Sequence, residues 1–400
     1  MSGSAADVVI IGAGIGGLTA TLCLLKAGVD ANVYERAGEL TEVGAGVQIS
    51  ANASRVLRHV GIVDALSAFS GAAISKEIRH WNSGRSWAVP DTGMGAEERY
   101  GAPFLMLHRR DLLDTLANAV RSCKPEAIHL NSRCARVEQG GQRVSATFED
   151  GRSVQARCLI GADGIHSAVR NGVFGQEEPR FTGCVAWRGI VPMAKLPASS
   201  RPRVSANWIG PGRHVITYPL RGGQLLNFVG ILGGSDWAVE SWTEKGSTDE
   251  CLEDFAGWHE DVRAIINAIE QPYKWALMSR KPMSRWCDAR IGLLGDSCHP
   301  TLPFLGAGAG MAIEDAAVLA QAIVKYAPDY EKALQRYEAA RIGRTTRTVE
   351  RSAAMLALFQ GDHLADASQA DAFIDREWAS DRVRERYDWL YNYDPYAQPI

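Results

Sequence analysis

Val8-Val9-Ile10-Ile11-Gly12-Ala13-Gly14-Ile15-Gly16-Gly17 joins four apolar residues to a G-x-G-x-x-G turn, with Gly12, Gly14 and Gly17 in register. A short continuous apolar run reads as a strand buried on both faces, as in a parallel sheet. In such a turn the first glycine lets the strand turn sharply. The second lets backbone N–H groups approach a pyrophosphate, and the third removes the Cβ that would hold the next helix off the sheet. The phosphates then sit at a helix N-terminus, where unpaired N–H groups and the helix dipole favour an anion. The pattern predicts a helix from Gly16 to Lys26 that stops at Gly28, then a strand from Ala31 to Tyr34. Glu35 follows about 20 residues past the glycines, the position that hydrogen-bonds a ribose. The expectation is a dinucleotide site; the alternative is a tight strand-to-helix turn without a ligand.

Two later segments share the design of an apolar strand ending in an acidic turn. Leu159-Ile160-Gly161-Ala162-Asp163-Gly164 is followed by Ser167 and Arg170, and Ile291-Gly292-Leu293-Leu294-Gly295-Asp296 returns to the pattern almost three hundred residues after the first. After Asp296 the chain reads Ser297-Cys298-His299-Pro300-Thr301-Leu302-Pro303-Phe304-Leu305-Gly306-Ala307-Gly308-Ala309-Gly310. Two prolines fix an extended loop, and small residues lead into a helix expected from about Gly310 to Lys325. A bare helix N-terminus facing an aromatic ring would stabilise negative charge forming on that ring, as a reduced flavin requires. Each segment has a plainer alternative, a capped Asp-Gly turn or a glycine-rich loop used for packing.

Length and composition bound the rest. Four hundred residues, 46% of them hydrophobic, allow two cores. With 43 basic and 46 acidic residues scattered along the chain and a net charge of −3, there is no nucleic-acid footprint. The eight cysteines show no C-x-x-C and no metal-ligand spacing with histidine, so no metal is expected and they read as core residues of a reducing cytosol. Neither a signal peptide nor a transmembrane helix is expected, because Val8–Ile11 is too short and has no basic flank. A cytoplasmic protein without integral membrane association follows.

The expected fold class is α/β (α+β overall): a Rossmann-like nucleotide-binding domain carrying an inserted, mainly antiparallel β-sheet domain and a C-terminal helical tail. Residues 1–75, 100–178 and 281–340 form the first, 76–99 and 179–280 the second, and 341–400 the tail. Helical spacing covers Ala53 to Ala68, a helix follows His108-Arg109-Arg110-Asp111-Leu112, and one helix is expected near Thr248 to Ile269. Strand spacing covers Ala127–Leu130, Cys134–Glu138, Val144–Phe148 and Val154–Ile160. The inserted sheet is expected from Cys184–Val191, Val204–Ile209, His214–Leu220 and Gln224–Leu232, while 76–105 reads as irregular. A ligand is expected in the cleft between the two layers.

Taken together, Gly12-x-Gly14-x-x-Gly17, the Asp163-Gly164 turn, and Gly295-Asp296 with Pro303 and Gly306–Gly310 resemble the single-component FAD-dependent aromatic hydroxylases. Within them the chain is most similar to the branch holding salicylate hydroxylase, 3-hydroxybenzoate 6-hydroxylase and 6-hydroxynicotinate 3-monooxygenase. The likeness runs to about residue 395 and includes Trp389-Leu390-Tyr391-x-Tyr393. It implies FAD as cofactor, with NADH or NADPH as transient cosubstrate and O2 and a small aromatic acid as partners; the helical tail could serve a homodimer. Gly12, Gly14, Ile15, Gly16 and Gly17 would hold the pyrophosphate, and Glu35 the adenosine ribose with Arg36 nearby. Arg109 would reach the pyrophosphate or ribityl chain, and Asp296 the ribityl hydroxyls. Ala307, Gly308 and Ala309 would offer backbone donors to the flavin edge. Gly44-Ala45-Gly46-Val47 would line the ring, and Asp163 and Arg170 would lie near the NAD(P)H path. The implied activity is hydroxylation of a phenolic acid through a C4a-hydroperoxyflavin. The rival readings are hydroxylation of an N-heteroaromatic acid such as 6-hydroxynicotinate, or a flavin-bound redox sensor without catalysis. A halogenase would need a Trp-x-Trp-x-Ile-Pro segment, and the chain has none.

In this branch a strand of the form His-x-x-x-Tyr-Pro-x-Arg-Gly-Gly faces the substrate, and here it runs from His214 through Tyr218 to Gly223. A spacing of four places His214 and Tyr218 on one strand face. An electrophilic flavin oxygen needs an electron-rich ring, so the pair is expected to be catalytic: His214 takes the phenolic proton and Tyr218 relays it or orients the phenolate. The alternative is two packed side chains with satisfied polar ends. Pro303 and Phe304 are expected at the substrate pocket; relatives of the branch carry Gln or His at these positions, which makes this pocket more apolar. His299 is expected to be structural, Arg188 and Arg213 to be surface arginines with pairing to a substrate carboxylate as the alternative, and Trp187, Trp208, Trp237 and Trp242 to pack the sheet.

Overall fold

The apolar run Val8–Ile11 is buried because strand Ala6–Ile11 has a parallel neighbour on each side, with helices above and below. Ser153–Gly161 pairs with it on one side (Val9 opposite Leu159) and Ala31–Tyr34 on the other (Val9 opposite Asn32). Ile291–Leu293 adds to the far side of Ser153–Gly161, again in parallel, with Leu159 opposite Ile291. Three strands from distant parts of the sequence thus end side by side at Gly12, Ala162 and Leu294. The structure, a computed structural model, describes residues 6–40, 45–71, 75–90, 95–202, 204–237 and 244–400. Gly44 and Trp242, named above, lie outside the described residues. Among the described residues the first sheet has eight strands, and its antiparallel extension Cys134–Gly140 and Arg143–Phe148 hangs from Ser153–Gly161.

Among the described residues the second sheet has seven strands in the order Tyr273–Ser279, Arg180–Pro192, Leu225–Leu232, Arg213–Leu220, Ser205–Gly210, Lys76–His80, Ser86–Val89. Every pairing is antiparallel except Lys76–His80 with Ser205–Gly210. Its two faces do different work, because side chains alternate along each strand. One face packs Trp187, Trp208 and Phe228 against Phe255 and Trp258 near helices Thr248–Asp254 and Glu260–Asn267. Trp187 and Trp208 therefore pack the sheet as expected. The other face looks toward the first domain and the C-terminal helices, where Ile78, Ile209 and Ile231 meet Phe304, Phe359 and Tyr387.

Several expected boundaries move. The expected domain limit at 340/341 falls inside one continuous helix, Tyr330–Gln360, whose buried Tyr337 and Phe359 join different cores. The single helices expected over 53–68 and 248–269 are each two, Ala51–His59 with Val63–Ser67 and Thr248–Asp254 with Glu260–Asn267. The stretch read as irregular contains strands Lys76–His80 and Ser86–Val89 and the short helix Gly95–Tyr100. Among the described residues, no helix is long and apolar enough to cross a membrane.

Candidate active site

Between the strand ends of the first sheet and the inner face of the second lies a cavity of roughly 390 Å³. Its first wall is the glycine turn. Gly12 has φ +102°, and a Cβ there would stand 2.5 Å from the Ala162 carbonyl oxygen; at Gly17 a Cβ would stand 1.9 Å from that of Gly12. These two glycines pack the turn, whereas Gly14, Ile15 and Gly16 line the cavity. A Cβ at Gly14 would meet nothing within 4 Å, so the backbone is open to a ligand there. Helix Ile15–Lys26 begins at Gly14 with no side-chain cap and no acidic residue in its first turn. Glu35 accepts from the Ala13 N–H at 2.8 Å and the Ala37 N–H at 2.9 Å, tying the second strand to the turn. Each carboxylate oxygen keeps lone-pair capacity for a hydroxyl. Arg36 is exposed beyond the strand end, and Arg109, at the start of helix Arg109–Cys123, lines the cavity.

The two acidic turns differ. Asp296 opens onto the cavity. Asp163 does not: its carboxylate accepts from Ser167 Oγ at 2.5 Å, Ala168 N at 2.7 Å and Val169 N at 3.2 Å. It organises the N-terminus of helix Ala168–Phe174, while its neighbours Ala162 and Gly164 line the cavity. Arg170 is buried and pairs with Glu177 at 2.9 Å. The cosubstrate role expected for Asp163 and Arg170 is thus redirected to backbone organisation, because both charges are already engaged.

Behind Asp296 stands a buried charge network. His299 Nε2 lies 2.6 Å from Asp315, which also accepts from the Gly295 N–H and from Arg341 Nε. Glu314 pairs with Arg341 and Arg344 at 2.7 Å each and accepts from Asn52. Paired charges of this kind hold the long C-terminal helix against helix Gly308–Tyr326 and fix the Gly295 turn. His299 thus takes a structural place.

The loop after Asp296 forms the opposite wall. Pro303–Leu305 makes a 3₁₀ turn, Gly306 has φ +63°, and helix Gly308–Tyr326 starts two residues before the expected position. It has no side-chain cap and no acidic residue in its first turn. Gly308 and Ala309 line the cavity, with their N–H groups among the first of the helix; Ala307 is buried beneath them. Two uncapped helix N-termini, an open Gly14 and the Asp296 carboxylate along one cavity suit the pyrophosphate, ribityl hydroxyls and ring edge of FAD.

The third wall is the second sheet, and here the expected catalytic pair separates. Asn207, Ile216, Val229 and Arg188 are neighbours across four strands and all line the cavity. Tyr218 lines it one strand repeat further along. His214 sits one repeat the other way, in the row Ile209–His214–Ile231–Ala186 that is covered by the C-terminal region. It is not among the cavity-lining residues. Its ring packs against Phe304 at 5.4 Å and Phe359 at 5.0 Å, and Gln360 Nε2 donates to Nδ1 at 2.8 Å. Burial pushes the imidazole down to about 3. The direct proton acceptance expected of His214 is corrected on this geometry, since Phe304 lines the cavity and the imidazole is packed against it outside the lining.

Burial holds the Tyr218 phenol well above its usual range, against the pull of Arg188 and Arg109, so it remains a protonated donor. A Cβ at Gly46 would stand 2.6 Å from the Tyr218 hydroxyl, and the Gly46 N–H donates to Asn227 Oδ1 at 2.8 Å. Only a glycine lets the strand Gly46–Ile49 approach the sheet so closely. Val47, Pro303 and Phe304 line the cavity as well.

Among the cavity residues that were missed or read as something else, three are polar groups of the sheet wall. Arg188, read as a surface arginine in preference to a partner of the substrate carboxylate, lies over the Trp275 ring at 4.4 Å and lines the cavity. Strand alternation with Val185 and Trp187, both buried on the other face, was the signal available for it. Asn207 could have been found by the same alternation from Trp208. Lys76 fell in a stretch read as irregular, so no periodicity marked its face.

The comparisons agree with this geometry. A family model described as an FAD binding domain matches residues 5–352. The chain is 36% identical over 393 residues to 3-amino-4-hydroxybenzoate 2-monooxygenase of Streptomyces platensis, covering 98% of this chain and 97% of that relative. It is 32% identical over 397 residues to 6-hydroxynicotinate 3-monooxygenase of Pseudomonas fluorescens, covering 98% and 96%. HpxO of Klebsiella pneumoniae, solved with FAD and uric acid, superposes with a TM-score of 0.82 at 27% identity, covering 94% of this chain and 96% of that one. The chain therefore belongs to this FAD-binding family and is a flavin-dependent aromatic hydroxylase.

Proposed function

We propose that this protein hydroxylates a phenolic aromatic acid in the cytoplasm, consuming NAD(P)H and O2. The observation that carries the reading is the sheet wall. An apolar floor of Ile216 and Val229 is bordered by the Tyr218 hydroxyl, the Asn207 amide and the cations Lys76 and Arg188, opposite the bare N-terminus of helix Gly308–Tyr326. Such a wall suits a flat ring with anionic substituents. The names of the relatives, a hydroxybenzoate and a hydroxynicotinate monooxygenase, support the same class.

FAD, when bound and reduced by NAD(P)H, would supply the electrons that activate O2, one atom of which goes to the substrate and the other to water. The chain's own residues would bind the cofactor through Gly14–Gly16, Arg109 and Asp296 and receive ring charge at Gly308 and Ala309. Tyr218 would keep its proton on the hydroxyl and donate it as a hydrogen bond to the substrate's phenolic oxygen. Arg188 would favour binding of the acid with that oxygen already ionised, its proton left in bulk water, and the phenolate makes the ring electron-rich. The apolar Pro303–Phe304 side would exclude water from the reacting centre.

The test is NAD(P)H oxidation by the FAD-loaded protein with 4-hydroxybenzoate, 3-amino-4-hydroxybenzoate, salicylate and 6-hydroxynicotinate, coupled to product analysis. Stimulation with an equivalent of hydroxylated product is expected from a phenolic acid. Response to 6-hydroxynicotinate alone would move the substrate to the N-heteroaromatic class. No stimulation by any acid, with no change in the flavin spectrum, would overturn the reading.

A further inference from the structure

Lys76 faces the cavity from strand Lys76–His80, opposite Ser205 on the neighbouring strand. Its ammonium has no carboxylate within ion-pair distance among the described residues; its Nζ stands 5.6 Å from the centre of the Tyr387 ring. Desolvation by the surrounding protein, together with repulsion from Arg386, pushes it down to about 8. Two polar groups beside it are also unsatisfied. Among the described residues Ser205 Oγ and Asn207 Oδ1 are buried without a hydrogen-bond partner, and Asn207 lines the cavity; the Ser205 hydroxyl can donate to an anion, whereas Asn207 Oδ1 accepts and suits a ligand donor. A buried polar group left unpaired is costly, so such a cluster marks a place where a ligand group completes the bonding. Among the cavity-lining residues the carboxylate is that of Asp296, on the cofactor side.

Resting on the hydroxylase reading above, we propose that Lys76 determines specificity by binding the substrate's carboxylate, so that the ring hydroxyl points toward Tyr218 and Arg188. Lys76–His80 and Arg180–Pro192 are separated by three strands in the sheet. Four inter-strand steps separate the backbones of Lys76 and Arg188 by about 19 Å. Two long side chains and a ring with substituents at opposite ends span that distance. A ring whose carboxylate and hydroxyl are adjacent reaches one cation and leaves the other. The preferred acid therefore carries its hydroxyl para or meta to the carboxylate rather than ortho. Tyr387, from helix Ser380–Tyr391, limits where the ammonium can go, so the C-terminal segment helps set this selectivity.

The experiment is equilibrium binding to the FAD-loaded protein, read from perturbation of the flavin absorption, with 4-hydroxybenzoate, salicylate and the neutral 4-hydroxybenzamide as probes. Lys76→Met and, in parallel, Lys76→Gln are compared with wild type and Lys76→Arg at equal FAD content. Losing a charge-assisted contact should weaken 4-hydroxybenzoate binding about tenfold to a hundredfold while leaving 4-hydroxybenzamide unchanged. Lys76→Arg should retain preference for the acid, and wild type should bind 4-hydroxybenzoate more tightly than salicylate. Equal losses for acid and amide, no loss for the acid, or a wild-type preference for salicylate would each overturn the assignment. A wild-type protein whose flavin responds to none of the acids would overturn the parent reading instead.

Discussion

His214→Leu tests whether the buried imidazole is a base or a packing group. The folded protein holds His214 neutral, its proton affinity pushed down to about 3 by burial alone. In the unfolded chain a histidine takes a proton as pH falls through about 6.5. Below that point the unfolded state binds one more proton than the folded state, so stability falls as pH falls, by about 1.4 kcal/mol per unit. Between about pH 7.5 and about pH 5 the loss attributable to this residue is about 2 kcal/mol. Leucine has a similar volume and no titration. At neutral pH it loses the Gln360 hydrogen bond, about 1 kcal/mol. It also removes the unpartnered Nε2, a group whose burial costs about 1–3 kcal/mol. The variant should therefore be within about 1–2 kcal/mol of wild type at neutral pH. Urea unfolding of the FAD-loaded proteins at the two pH values should show the variant losing about 2 kcal/mol less on acidification. Its hydroxylation kcat should stay within about threefold of wild type, since removing a true general base costs about 10²–10⁴. Parallel pH profiles for the two proteins, or a hundredfold fall in kcat with FAD content intact, would refute the reasoning.

Three further outcomes follow from the same geometry. Tyr218→Phe, which deletes the hydroxyl at the cavity, should lower kcat about tenfold to a hundredfold with unchanged FAD content, checked by product formation against flavin absorbance. Gly17→Ala places a Cβ against the Gly12 carbonyl, forcing the turn open, so the purified protein should be colourless and fail to take up FAD in a fluorescence titration. Arg341→Met removes the cation shared by Asp315 and Glu314, leaving them only His299 and Arg344 respectively, and should destabilise by about 3–5 kcal/mol in thermal or urea unfolding. In wild type, His299 and Arg341 outweigh burial and hold Asp315 down to about 2. That contribution is present above the ordinary carboxylate range and is lost as pH falls from about 4 toward 2.

The nucleotide half was legible because its rules are local. A strand, a glycine turn, a helix start and an acidic residue at fixed spacing each constrain the next few residues, and Gly12, Gly14, Gly17 and Glu35 were all read from that pattern. The strands of the second sheet were legible for the same reason, since alternation of apolar residues reports which face is covered. Alternation says nothing of what covers it. His214 and Tyr218 share a face and a motif, yet one is walled in and the other borders the cavity.

The primary sequence was enough to show the dinucleotide turn, the strands of the second sheet and a helix following the Gly306–Gly310 loop, because short-range backbone geometry and residue period carry that information, and its motifs taken together resembled the flavin family. Tertiary packing decided that His214 lies behind Phe304, that Asp163 caps a helix instead of facing a ligand, and that Arg188 and Lys76 bring charge to one pocket. Those outcomes depend on contacts between segments up to some three hundred residues apart, such as Lys76 with Tyr387, and no local pattern encodes which distant side chain arrives to bury or expose a given one.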